Sequence, residues 1–211
     1  MDKKLSAGHD FALHRVGDFL RTLGSDSPSP GGGAAAALTG GLGASLIEMV
    51  SRINEKRWLK KNPSKKHSGT FHRNIVRLQK IRVCFAELMR LDTESFLELS
   101  GFPTADRQTA RYQGALKRTA GFPLVMCEKA VQSLAMGVGE SRRTSRWLAS
   151  DLLEAGILLE ASFHSGRLNV AINLGSIQDK SFVRRVKKRL DVLDRRIKIL
   201  NKKISLSLTH A

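Results

Sequence analysis

The chain is poor in the residues that mark disulfide-held or sheet-rich proteins. Its 211 residues include two cysteines, Cys84 and Cys127, one tyrosine and five prolines, and acids are outnumbered, 19 against 36 lysines and arginines. Two cysteines so far apart make neither a disulfide framework nor the paired spacing of a zinc or redox motif, and a reduced, cytoplasmic setting is the simple expectation. Met1-Asp2-Lys3-Lys4-Leu5-Ser6 leads into His9 and Asp10 without an apolar core, so no signal peptide is expected. The longest apolar stretch, Ala34 to Val50, is diluted by glycines and interrupted by Glu48, and is expected to fall short of a membrane span. Period-two runs rich in β-branched residues are also missing, which removes the case for a sheet.

What is present is alanine, leucine and glycine with apolar residues at helical spacing, and the length suits one sizeable core. The expected architecture is all-α, a single-domain helical bundle over 1–211. Phe11, Val16, Phe19, Leu20 and Leu23 mark an amphipathic helix over 9–24, closed by Gly24. A second helix is expected from Ala34 to about Asn54, then a basic connector over 55–69, then a helix from near Thr70 into Asp92 and Phe96. Thr104 to Arg118 reads as a further helix, with Pro123 in the first turn of the next, which ends near Gly137 and Gly139. Trp147 to about His164 is one helix stopped by Gly166. A basic C-terminal helix and tail occupies 180–211, with a coiled-coil-like seam from Val186 to Ile204.

The net charge of +17 predicts attraction to polyanions without saying which. Nucleic acid is one candidate, through 55–82 and 180–203, although few aromatics are available for base stacking. No metal site is expected: His67 and His72 are five apart, and His9, His14, His164 and His210 are scattered.

The most informative run is Ser27-Pro28-Ser29-Pro30-Gly31-Gly32-Gly33 followed by four alanines. Proline fixes the turn, glycine permits close approach, and alanine favours the helix whose first N–H groups lack intrahelical partners. Such a start serves either helix packing or an oxygen-bearing ligand. The run resembles the opening of the formiminotetrahydrofolate cyclodeaminase and methenyltetrahydrofolate cyclohydrolase family. Asp92-Thr93-Glu94-Ser95-Phe96, the Ala115 to Leu124 segment, Ser150-Asp151-Leu152 and Asn169-Val170-Ala171-Ile172-Asn173-Leu174 resemble later family motifs in the same order.

The resemblance implies a homodimeric enzyme acting on one-carbon adducts of tetrahydrofolate, either a cyclodeaminase that releases ammonia or a cyclohydrolase. It implies no cofactor beyond the tetrahydrofolate substrate. Asp92 and Asp151 are its candidate catalytic carboxylates, while Pro30, Gly31, Gly32, Gly33, Lys117, Asn169 and Asn173 are its candidate substrate-binding residues. Each also has a plainer reading: Asp92 as a helix cap, Asp151 as a paired or solvent-facing acid, Lys117 as an exposed helix lysine, the asparagines as caps. The chain departs from the family at Ala34, often serine there, and over Gly139 to Arg143. The competing expectation is a catalytically inactive family member that binds nucleic acid or another polyanion through its basic surface.

Overall fold

The structure, a computed structural model, describes residues 10–66 and 68–209. Readings that fall on residues 1–9, His67, His210 and Ala211 lie outside the described residues. Six α-helices follow in order: α1 Val16–Leu23, α2 Gly32–Lys61, α3 Gly69–Ser100, α4 Ala110–Ser141, α5 Ala149–Leu174 and α6 Lys180–Thr209. Single 3-10 turns at Phe11–Leu13, Thr104–Gln108 and Arg146–Leu148 precede α1, α4 and α5. No strand occurs among the described residues. The all-α expectation holds.

α2 is the central helix. It packs on α3, α4 and α5, while α6 covers α4 and α5. Close approach depends on residues without bulk. A Cβ at Gly40 would lie 2.4 Å from a Phe85 ring carbon and 2.5 Å from Ser162 Oγ, and one at Gly43 would lie 2.8 Å from Leu159. Ser162 Oγ in turn donates to the Ala36 carbonyl at 2.8 Å, so α5 rests directly on the α2 backbone. Ile47, Leu78, Leu134, Leu159 and Phe163 fill the space between helices.

Polar ties cross the same core. Glu48, 7% exposed, accepts from Arg52 Nη2 at 2.8 Å and from Arg82 Nε at 3.3 Å, joining α2 to α3. Glu140 on α4, 1% exposed, accepts from Asn54 of α2 and Asn74 of α3, each at 2.9 Å. Buried carboxylates need such partners to remain in a low-dielectric interior.

Several expected boundaries move. The helix over 9–24 is, among its described residues, a 3-10 turn followed by α1, and α2 continues to Lys61, leaving only 62–66 and Ser68 non-helical among the described residues of the expected connector. The two helices expected on either side of Pro123 are one, with Pro123 inside α4. An interior proline costs about 3 kcal/mol of helix stability. Here it is buried, and its carbonyl lies 3.1 Å from where a Gly166 Cβ would stand, so tertiary packing holds the helix through it. Gly166 is therefore a crossing point of α4 and α5 rather than a stop, and α5 runs on to Leu174.

By length and composition alone, α2 is apolar enough to cross a membrane despite its glycines and Glu48. Yet 56% of its most apolar window is buried inside the protein, as befits a core helix.

Gly40→Ala is expected to destabilise the fold by about 1–3 kcal/mol through overpacking against Phe85 and Ser162, read as a lower urea midpoint. An unchanged midpoint would contradict the close approach of α2 to its neighbours.

Candidate active site

The prolyl-glycyl turn makes the start of α2. Ser27 Oγ donates to the Ser29 carbonyl at 2.7 Å, the Ser29–Pro30 peptide bond is cis, and Gly31 precedes the first turn in extended conformation. No side chain from this segment caps the helix. The cap comes from another helix: Asp92, near the C-terminal end of α3, accepts a hydrogen bond from the Ala34 backbone N–H. The contact is so close that a Cβ at Gly33 would fall 2.0 Å from Asp92 Oδ1. Gly33 is thus required here by proximity, its plainest function.

Around this contact lies a cleft of about 290 Å³. Gly31, Gly32 and Gly33 form one wall, Asp92, Thr93, Ser95, Phe96 and Leu99 of α3 a second, and Asn169, Ile172 and Asn173 of α5 a third, with Thr119 of α4 closing it. Among the described residues of the lining, Asp92 is the one that carries a charge. Burial pushes its carboxyl above the ordinary carboxylate range, and the Ala34 N–H, which stabilises the charged form, opposes that rise. The positive end of the α2 dipole also favours the anion. The result is a carboxyl that can hold or release a proton next to a row of backbone donors.

The other candidates divide between those brought to the cleft and those left outside. Asn169 and Asn173 share an α5 flank; Asn169 Nδ2 donates to the Ser165 carbonyl at 3.1 Å, while the Asn173 amide has no hydrogen bond among the described residues. Pro30 is buried behind the turn and shapes it without lining the cleft. Lys117 is drawn away: its Nζ lies 2.8 Å from Asp179 Oδ2 and over the Phe182 ring, not in the cleft. That ion pair, with the Phe182 N–H and the Ser181 hydroxyl, holds the Asp179 carboxyl well below the usual range. Asp151 sits in the first turn of α5, 18 residues before Asn169 and so about 27 Å away along the helix. Within one chain the expected pair of carboxylates does not converge on the glycine turn.

Thr119, Thr93, Ser95 and Phe96 line the cleft without having stood out as site residues in the sequence. Lys117 and Thr119 stand about 200° apart around α4, so only one of them can face the cleft. Charge favoured the wrong one. At Ala34, where the family often has serine, the methyl is fully buried and the backbone N–H makes the contact with Asp92.

A helical bundle that buries one carboxyl against a helix start, beside a cleft lined by amides and hydroxyls, belongs to the class of proteins that bind a small polar molecule at a bundle end. The family described as Formiminotransferase-cyclodeaminase matches residues 15–192, and the chain belongs to that family. A methenyltetrahydrofolate cyclohydrolase of Methylorubrum extorquens is 29% identical over 198 residues, covering 88% of this chain and 91% of its own. The formimidoyltransferase-cyclodeaminase of Sus scrofa is 28% identical across 86% of this chain, which spans only 34% of that longer protein. In fold, the crystal structure of a formiminotetrahydrofolate cyclodeaminase from Thermotoga maritima superposes with a TM-score of 0.82 at 22% identity, covering 94% of this chain and 97% of that one.

Because the folded-state carboxyl of Asp92 lies above its unfolded value, the unfolded chain loses its proton first as pH rises. The stability tied to this proton is therefore complete at low pH and declines until the raised value is passed. Asp92→Asn keeps an acceptor for the Ala34 N–H and removes that decline. Thermal melts from pH 3 to 8 should show wild type losing ground to the variant as pH increases; parallel curves would mean that Asp92 titrates normally.

Proposed function

We propose that the protein is a folate one-carbon enzyme whose chemistry centres on Asp92 in the cleft at the start of α2. The burial of that lone carboxyl against the glycine turn carries the reading. In the cyclodeaminase reaction N10 of the folate attacks the formimino carbon on N5 and ammonia leaves; in the cyclohydrolase reaction water adds to the methenyl carbon and the ring opens to the formyl product. Both pass through a tetrahedral carbon and move a proton to or from nitrogen or oxygen. A carboxyl with a raised affinity for its proton suits that exchange, and as an anion it stabilises the cationic carbon. Asn173 offers a free amide to the polar edge of a pterin, with Phe96 and Ile172 as apolar walls. The family match and the Methylorubrum extorquens relative favour this reading over an inactive polyanion binder.

The working unit is a homodimer formed through α5. Leu153, Ile157, Leu168 and Ile172 are 38%, 66%, 67% and 73% exposed and, with Ala161, make one apolar stripe along the helix. Exposed apolar surface of this kind, broken near its middle by His164, marks an association site. A second α5 running antiparallel about a two-fold axis sets Leu153 against Ile172 and Ile157 against Leu168, a self-complementary arrangement. Asp151, Asn169 and Asn173 lie on one flank of α5, and the two-fold keeps that flank on the same side in both copies. Asp151 of the second copy then stands beside Asn173, where the cleft lining of the first chain has, among the described residues, no acid beyond Asp92.

Turnover is read from the absorbance of methenyltetrahydrofolate, appearing from the formimino adduct or disappearing by hydrolysis. Asp92→Asn should lower it by about 10²–10⁴-fold, the usual loss of an acid–base group; a variant with wild-type turnover removes Asp92 from the chemistry.

Asp92→Asn and Asp151→Asn, each inactive alone, should recover about a quarter of wild-type activity when mixed after dissociation, because half the hybrid dimers' sites regain both acids. Ile157→Asp should sediment as a monomer. Full activity in Asp151→Asn alone would end the shared-site reading while leaving Asp92 in place.

A further inference from the structure

At the other end of α2, a second cleft of about 720 Å³ forms between the last turns of α2, the first turn of α3 and the segment after α4. It is about 30 Å along the helix from the glycine turn, so it stands apart from the folate reading. Arg57, Lys61, Arg73 and Arg143 line it, and no acid does among the described residues. None of the four meets a carboxylate among the described residues. Arg57 instead bonds the Ser145 hydroxyl, and the Arg143 guanidinium lies 5.3 Å from the centre of the Phe71 ring. The acids on the same helices are engaged elsewhere, Glu140 by Asn54 and Asn74, and Glu55 by the Ser68 N–H. The four cations share a lining that, among the described residues, contains no acid, so they repel each other across the space, and an anion entering it relieves the repulsion.

Two further observations bear on what enters. α3 begins at this cleft with no side-chain cap and no acid in its first turn, so the amides of Gly69, Thr70 and Phe71 have no partners within the helix; among the backbone donors there, Glu55 meets only the N–H of the preceding Ser68. Asn54, only 3% exposed, is part of the lining, and its Oδ1 has no hydrogen-bond donor among the described residues. A lone buried acceptor among so many donors asks for a ligand that is anionic and also carries a hydroxyl or N–H. Trp58 adds a flat aromatic wall. The adjoining cleft of Arg77, Lys80, Lys129 and Arg196 shares Thr70 but has, among the described residues, no aromatic side chain and no unpartnered buried atom, so it lacks the means to fix a discrete ligand.

We propose that the cleft between α2, α3 and the segment after α4 binds a nucleoside phosphate. The phosphates sit among the guanidinium groups and the first-turn amides of α3, which suit phosphate geometry. The base stacks on Trp58, and a sugar hydroxyl donates to Asn54 Oδ1. The volume lies within the span of about 300–1,000 Å³ usual for small-molecule sites.

Calorimetric titration of the full chain at about 0.15 M salt tests this with four probes: ATP, AMP, inorganic phosphate and a single-stranded oligonucleotide. One saturable ATP site per chain is expected, with phosphate alone binding more weakly. The pair Arg57→Ala and Arg143→Ala, and separately Arg73→Glu, should each weaken ATP at least tenfold without changing folate turnover. Trp58→Leu should weaken ATP and leave phosphate unchanged. Absence of saturable nucleotide binding overturns the proposal, as does binding indifferent to all these substitutions. So does preferential binding of the oligonucleotide that falls as much on replacing Arg184 and Lys188 of α6, since that is the behaviour of diffuse surface charge.

Discussion

The carboxylate of Asp92 pressed against the opening turn of α2 is the constraint on which the rest of the site depends. A helix start needs acceptors for its first N–H groups, and this one draws its acceptor from a helix some sixty residues later in the chain. Only a residue without a side chain can stand at position 33. The same contact orders α2 against α3, closes one side of the cleft and leaves an acid poised between two opposing influences, loss of water and a hydrogen bond to its charged form. Local structure, packing and chemistry meet in one interaction.

α2 distributes polar groups along its length in a way that makes its two ends chemically opposite. Its first half is alanine and glycine, thin enough for α5 and the Phe85 ring to touch the backbone. Glu48 in the middle is neutralised by Arg52 and Arg82. Beyond Asn54 the helix emerges from the core and turns basic, and the Glu140 network anchors that emergence by joining three helices at one buried carboxylate. One helix thereby contributes an acid-facing wall at one end of the bundle and a cation-lined wall at the other.

Much of this was legible in the residues. Apolar spacing alone located the helical segments, and the Pro/Gly run with its alanines marked the helix start that matters. What spacing could not reveal was the meaning of Pro123 and Gly166. Both read as punctuation in one dimension, yet they are where α4 and α5 cross, and packing overrides their local preference. Lys117 illustrates the same limit for function. Its charge singled it out, but Asp179, sixty-two positions away, holds it outside the cleft, while the less conspicuous Thr119 faces inward. Asp151 lies on the same α5 flank as Asn169 and Asn173 but at the opposite end of the helix, a distance that a linear motif does not convey.

The seam of small residues has a consequence for how this molecule can change over time. Where neighbouring helices press on the backbone at Gly33, Gly40, Gly43 and Gly166, adding a single methyl group displaces a neighbour, so substitution is fenced in at the very positions that look least distinctive. Exposed positions away from the α5 stripe and the two clefts meet no such neighbour, so the lysines and arginines behind the excess of +17 can stand there without disturbing the interior geometry.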